Sequence, residues 1–375
     1  MTQTSATGKG LEGIVATTSA VSTIIGSTLT YRGIDINELA GHSSFEEVVY
    51  LLWYGELPSR EELQRLQRQL ADSREIPSQV IDAIRRFPSD ANAMAALRTA
   101  VSMLAFYDPL SQDMSDEANQ KKARSLLAKF PTIVAAIHRI RTGHDPVAPD
   151  ATLNEAENFL YMLNGERPAE SRAHIMNVAL VLHADHELNA STFAARVAAS
   201  TLSDMDSAVI AALCTLKGPL HGGANEAVMR MLEGIGSPDK VSGFLEDTFA
   251  RKDKVMGFGH RVYKEGDPRA KWLKRLSKQL GEERGDTKWF DMSSEIENQV
   301  GEQKGLLPNV DFYSASVYTY MDVPRDLFTP IFAISRVSGW IAHILEQYGD
   351  NRLIRPRADY IGPGRRPYIP MSERQ

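Results

Sequence analysis

Apolar positions recur at helical spacing along most of the chain, and this pattern predicts a mainly helical fold. Residues 44–54 read as a helix opened by a capping box of Ser44 and Glu47, and Ser59 and Glu62 repeat the device. NAMAALRTAVSMLAFY, 92–107, carries few charges and predicts a buried helix. Residues 116–142 are amphipathic, with Pro131 expected to kink or break them. Pro168 and the acidic residue after it open a helix expected over 168–187. Further helices are expected near 191–203, 206–216, 224–234, 239–251, 268–284, 288–303, 311–321 and 328–347. One β-like stretch, VATTSAVSTIIGSTLTYRG near 15–33, suggests a short hairpin. Neither heptads nor an internal repeat is visible.

Length and composition bound the reading. A chain of 375 residues predicts two or three domains. Residues 224–320 are richer in charge and glycine, and 328–347 returns to core-like composition, which suits a smaller inserted domain. The net charge of −6 gives no basic field for nucleic acid. The single cysteine, Cys214, excludes an internal disulfide or a multi-cysteine zinc site and fits a reducing compartment. No apolar run of about 18 residues suggests a membrane span. The start, MTQTSATGKGLEGIV, lacks a secretory pattern, so a cytoplasmic protein is expected.

The chemistry concentrates in the second half. In LKGPLHGGANE, Pro219 blocks helix ahead of His221, and Gly222 and Gly223 permit a tight turn into a helix opening at Ala224. A histidine at a helix N-terminus sits in positive potential, which favours the neutral form, and a neutral imidazole can donate to a carbonyl. The alternative is a turn histidine with no role. His183 and His186, spaced i, i+3, are expected to share a helix face, one donating to substrate and the other structural. A metal site would need a third ligand, and no HExxH or cysteine partner supplies one, so no metal is expected. In MGFGHRVYKEGDPRA, Gly257 and Gly259 expose backbone ahead of His260. Asp267 and Pro268 read as N-cap and N1, which puts Arg269 in a first turn where a bound anion would relieve it. Asp311 lies among Val310, Phe312 and Tyr313, and apolar company raises a carboxylate's pKa. An N-cap aspartate is the plainer alternative. Arg336 sits in an apolar helix and needs an anionic partner from elsewhere. Arg352, Arg355 and Arg357 crowd the C-terminal part as a basic tail or as forks for carboxylates or phosphates. Together these groups suit proton abstraction beside a carbonyl and addition to a second carbonyl of a polyanionic substrate.

The motifs LKGPLHGGANE, MGFGHRVYKEGDPRA, NVDFYSAS, FAISR and RPRADYIGP, with GLEGIVATTS, LTYRGIDI and HADHELNAST, resemble the citrate synthase family in order across nearly the whole chain. The length resembles the short, dimeric bacterial type. The resemblance implies a two-domain helical homodimer: a large domain of 1–222 and 323–375, a small domain of 223–322, and an active site in the cleft between them. It implies condensation of acetyl-CoA with oxaloacetate and hydrolysis of citryl-CoA to citrate and CoA, as an acyltransferase of the tricarboxylic acid cycle with no tightly bound cofactor. His221 would hold the thioester oxygen, Asp311 would remove a methyl proton and His260 would polarise the ketone. His186, Arg269, Arg336 and Phe332 match the oxaloacetate pocket. Arg355 matches the arginine that reaches across the dimer, with Arg357 as its rival or as a CoA contact. Lys264 and residues 255–259 (Val255, Met256, Gly257, Phe258, Gly259) are expected at CoA. A 2-methylcitrate synthase using propionyl-CoA, or a silent helical relative, stays open, because one methylene discriminates by only about 1–3 kcal/mol.

Overall fold

The computed structural model describes residues 9–11, 13–259, 263 and 265–374. The N-terminal β region forms an antiparallel meander of β1 (Ser22–Ile25), β2 (Thr28–Tyr31) and β3 (Ile34–Asp35), one strand more than the expected hairpin. Its register pairs Ser22 with Tyr31 and Thr30 with Asp35. Tyr31, wholly buried, donates to the Asp185 carbonyl at 3.0 Å and accepts from the Asp185 amide at 3.1 Å. The sheet therefore holds the loop that carries His186.

The helices follow as α1 (Ile36–His42), α2 (Phe45–Tyr54), α3 (Arg60–Ala71), α4 (Ser78–Ile84), α5 (Ala93–Leu104), α6 (Asp116–Arg141), α7 (Glu155–Asn164) and α8 (Glu170–His183). Next come α9 (Ala190–Ser200), α10 (Met205–Leu216), α11 (Ala224–Ile235), α12 (Val241–Ala250), α13 (Pro268–Arg284), α14 (Lys288–Lys304), α15 (Val310–Tyr320) and α16 (Phe328–Gly349). Both expected capping boxes form, at Ser44–Glu47 and Ser59–Glu62. A third, Asn154–Glu157, opens α7, which the apolar pattern had not suggested; α1 and α4 were also missed, being only seven residues each. The helix α6 continues through Pro131, so of the kink or break expected there the break does not form. Proline removes one ladder bond, and here its ring is buried among neighbours that hold the helix together.

The expected helix over 168–187 ends early, at His183. Asp185 is drawn sideways instead: it accepts from Ser22 Oγ at 2.5 Å and lies 3.1 Å from His343 Nε2. Glu187 then adopts φ +47°. His183 and His186 therefore do not share a helix face.

Two groups of helices build the core. The helix α16 is buried along almost its whole length and packs on α2, α6, α8, α9 and α10. Gly339 permits the closest of these approaches, because a Cβ there would meet the Ala184 carbonyl oxygen at 2.4 Å. The segment Arg325–Gly349 is long and apolar enough to cross a membrane, which the sequence reading had not expected, but its apolar window is entirely buried within the protein. In the second group, α15 packs on α11, α13 and α14, and α12 packs on α14. A helix that is apolar all round must be enclosed, and α15 (VDFYSASVYTY) takes that place here.

Candidate active site

Asp267 joins the two helices that carry the charged groups. As N-cap of α13 it accepts from the Arg269 amide at 3.0 Å. Its Oδ1 also accepts from Arg269 Nε at 2.9 Å, and its Oδ2 from Arg269 Nη2 at 2.7 Å and the Val310 amide at 3.0 Å. The start of α13 is thereby tied to the start of α15. Burial alone would lower the Arg269 pKa, but the Asp267 carboxylate outweighs it and keeps the guanidinium charged. The sequence reading left Arg269 waiting for a bound anion; its first partner is its own cap residue.

Arg336 differs. Its Nε donates to the His183 carbonyl at 2.8 Å, and its guanidinium lies 4.6 Å from the Phe332 ring centroid. It is 2% exposed, yet no carboxylate pairs with it among the described residues. Burial lowers its pKa to about 10, still far above neutrality. A buried guanidinium without a counter-ion is costly unless an anion joins it.

Asp311 opens the first turn of α15, its amide bonded to Asn309 Oδ1 at 3.0 Å, so the Asn309 side chain caps the helix and Asp311 is free for other work. Burial raises its pKa from 3.8 to about 7; Arg269 and Arg336 pull the value down and Asp267 pushes it up. A base poised near working pH is the arrangement that proton abstraction requires.

His221 sits in the turn before α11, whose N-cap is Gly223. Its ring meets a different helix start from the one the sequence suggested. Nε2 lies 2.8 Å from Ser191 Oγ and 3.4 Å from the Ser191 amide, in the first turn of α9. Burial, then the Arg336 charge, lowers its pKa to about 4, so the ring is neutral at pH 7. With Nε2 engaged, Nδ1 is the nitrogen left to address a ligand.

His186 Nε2 lies 3.1 Å from the Tyr263 hydroxyl, with the two rings edge-to-face. His183 is wholly buried: Nδ1 faces the Ala179 carbonyl at 2.7 Å and the ring packs edge-on against Phe332. Burial takes its pKa down to about 3, so it stays neutral. Among the described residues no group of three His, Cys, Asp or Glu side chains is placed to hold a metal ion.

The glycine loop is zipped to the segment ahead of Asp311. The Gly259 amide donates to Leu307 O at 3.0 Å, and the Asn309 amide donates to Gly257 O at 2.9 Å. Asn309 Nδ2 adds a bond to Gly259 O at 3.1 Å, and the Phe258 ring packs on Phe312 at 4.6 Å. Val255, Met256, Phe258 and Gly259 remain partly exposed, whereas Gly257 is buried. His260 and Lys264, both expected in the site, lie outside the described residues. Arg355 and Arg357 are not brought to Arg269 and Arg336. They occupy an exposed, extended segment beyond α16, where Arg355 lines a separate cavity of about 780 Å³ with Arg196, Glu346 and Phe193.

Residues 10–357 match the family model described as citrate synthase, C-terminal domain. The chain belongs to the citrate synthase family. Citrate synthase 2 of Bacillus subtilis is 54% identical to it over 98% of this chain and 99% of the relative. A 2-methylcitrate synthase of Shewanella oneidensis is 43% identical over 98% of each chain. The solved structure of Thermoplasma acidophilum citrate synthase, a ternary complex with carboxymethyl coenzyme A and oxaloacetate, superposes with a TM-score of 0.91 at 36% identity, covering 97% of this chain and 98% of that one. The mainly helical architecture is the fold of the citrate synthase family, and the chain is an enzyme of that family.

Within this family setting, the sequence reading missed the residues that hold others in place. Tyr263 beside His186, Ser191 beside His221 and Trp340 beside Ser191 carried no local signal, because their partners lie 77, 30 and 149 positions away. Phe332, Arg336 and Trp340 do follow each other at i, i+4 and i+8 on α16, a spacing that could have marked one functional face.

Proposed function

We propose that this enzyme condenses acetyl-CoA with oxaloacetate and hydrolyses the citryl-CoA formed, releasing citrate and CoA. The observation that carries this reading is Arg336, a buried guanidinium with no ion-paired carboxylate among the described residues, beside a base with a pKa of about 7 and a neutral His221. Arg336, Arg269 and His186 take the two carboxylates of oxaloacetate, with Phe332 walling the pocket. Asp311 removes a proton from the acyl methyl group. A carboxylate is too weak a base for this unaided, so His221 stabilises the developing enolate by donating from Nδ1 to the thioester oxygen. His260 polarises the ketone that the enolate attacks. Water then cleaves the thioester. No tightly bound cofactor is required; the acyl-CoA is a co-substrate.

Residues 255–259, Lys264 and Arg357 lie along the CoA. The chain divides into a large unit, 1–222 and 323–375, and a small one, 223–322, with reaction in the cleft between them. Support comes from the way α11 to α15 pack on one another. Two chains form a homodimer in which Arg355 enters the partner's site. The extended segment beyond α16, with Leu353, Tyr360 and Ile361 exposed, supports this as surface that a second copy covers. A cytoplasmic setting fits the free thiol of Cys214.

Propionyl-CoA is the second reading, favoured by the 43% identical 2-methylcitrate synthase. Thiol release from acetyl-CoA and propionyl-CoA, with saturating oxaloacetate, separates the two. A kcat/KM at least about tenfold higher with acetyl-CoA is expected, a gap within reach of one methylene in an apolar pocket. Comparable or reversed values make it a methylcitrate or dual-specificity enzyme, and release from neither overturns the condensation reading.

A further inference from the structure

The Ser191 hydroxyl is crowded by three polar partners. Trp340 Nε1 donates to its oxygen at 3.0 Å, Asn189 Oδ1 lies at 2.7 Å and His221 Nε2 at 2.8 Å. Their chemistry limits what one hydroxyl can do. Indole N–H is a donor alone, so it holds one Oγ lone pair permanently. Asn189 Oδ1 is an acceptor alone, and its identity is fixed by the network: it accepts the amides of Ser191 and Thr192 at 3.1 Å each, while Nδ2 donates to Thr192 Oγ1 at 2.9 Å and His186 O at 3.2 Å. The single hydroxyl proton therefore goes either to Asn189 or to His221.

Each choice dictates a tautomer. If the proton faces Asn189, His221 must donate from Nε2 to Oγ, and Nδ1 is left bare. If it faces His221, Nε2 accepts and Nδ1 carries the proton. The second state is the one able to donate to a thioester oxygen. The two contacts are 2.7 and 2.8 Å long, and the Ser191 amide also donates toward Nε2 at 3.4 Å, a contact that only the bare nitrogen accepts. A donor already bonded to Oγ polarises the O–H and makes it a better donor in turn. It also weakens Oγ as an acceptor for Nε2–H. Both effects favour the Nδ1–H tautomer.

We propose that Trp340 is a positioning residue for the reaction: its indole N–H, through Ser191, biases His221 toward the tautomer that donates from Nδ1. This rests on the role given to His221 above. Trp340 is wholly buried on α16, eight residues beyond Phe332 and four beyond Arg336, so one helix face serves the anion pocket and the histidine together.

The test is Trp340→Phe, alone and combined with Ser191→Ala. In the single variant kcat falls about tenfold, equal to roughly 1.4 kcal/mol and of the size of one neutral hydrogen bond, while the oxaloacetate KM changes less than twofold. In the Ser191→Ala background the same substitution changes kcat less than twofold. An equal loss in both backgrounds, or a KM effect without a kcat effect, overturns the proposal in favour of simple packing. ¹⁵N NMR of the histidine-labelled resting enzyme needs no turnover, so it stands apart from the condensation reading. The Nδ1–H fraction of His221 is lower in Trp340→Phe than in the unmodified enzyme; an unchanged fraction overturns the proposal. If Trp340→Phe does not fold, β-(3-benzothienyl)alanine at position 340 keeps the bicyclic shape without the N–H and takes the same measurements.

Discussion

Asp267 and Arg269 form a buried bidentate pair two residues apart, with Nε–Oδ1 at 2.9 Å and Nη2–Oδ2 at 2.7 Å. The pair fixes the planar guanidinium in one orientation, and the remaining Oδ2 bond to the Val310 amide fixes the turn that presents Asp311. The base and one arginine of the anion pocket thus share a single anchor.

Removing that anchor leaves a buried cation unpaired, uncaps α13 and strips the Val310 amide at the start of α15 of its acceptor. Asp267→Ala should cost about 3–5 kcal/mol in urea unfolding, the range for breaking a buried ion pair. Activity that survives in the folded fraction should show a raised oxaloacetate KM. A loss under about 1 kcal/mol, the value of a surface pair, would mean that the bidentate contact carries little weight.

Asp311 makes stability and activity move in opposite directions with pH. Its folded-state pKa of about 7 stands above the ordinary 3.8, so the folded protein holds this proton more tightly than the unfolded chain. The resulting stability is complete below pH 3.8 and is lost as pH rises through 7. Asp311→Asn should therefore gain stability relative to the unmodified protein as pH goes from about 5 to 8, read as a widening difference in Tm. Its kcat should fall by about 10²–10⁴ with the fold intact, and the acid limb of kcat/KM near pH 7 should vanish. A near-normal rate removes Asp311 from the role of base.

Gly257 and Gly259 have similar backbones, φ +80° and +78°, but different surroundings. A Cβ at 257 would lie 2.8 Å from Val228 Cγ2 and 2.9 Å from Phe312 Cβ, whereas one at 259 meets nothing within 4 Å. Gly259→Ala should cost about 1 kcal/mol of backbone strain. Gly257→Ala adds an overpacking cost of about 1–3 kcal/mol and displaces the loop. Its acyl-CoA KM should rise more than its oxaloacetate KM, and equal KM values for the two alanine variants would place the loop away from CoA.

Arg355 is exposed, and in its own chain it lines a cavity away from Arg336. If it serves the partner's site, Arg355→Ala should raise the oxaloacetate KM while the dimer persists in size-exclusion chromatography. An unchanged KM transfers the role to Arg357.

The sequence by itself determined the helical fold and most of its element boundaries. Ser44, Ser59 and Asp267 act through hydrogen bonds spanning two or three residues, so their caps follow from local chemistry. It also placed Asp311 and Arg336 in apolar surroundings, which pointed to a raised carboxylate pKa and to a guanidinium in need of an anion from elsewhere. Three decisions belonged to the tertiary structure. The helix α8 ends at His183 because Ser22 and His343, 163 and 158 positions away from Asp185, bond that aspartate. His221 meets the start of α9, not α11, because Ser191 lies within reach. The hydroxyl it meets is held by Trp340, 149 positions further on. Periodicity and caps register bonds within one or two turns, whereas the direction of a buried side chain depends on which distant groups can satisfy it without water. Such partners become neighbours only when the core closes around α16.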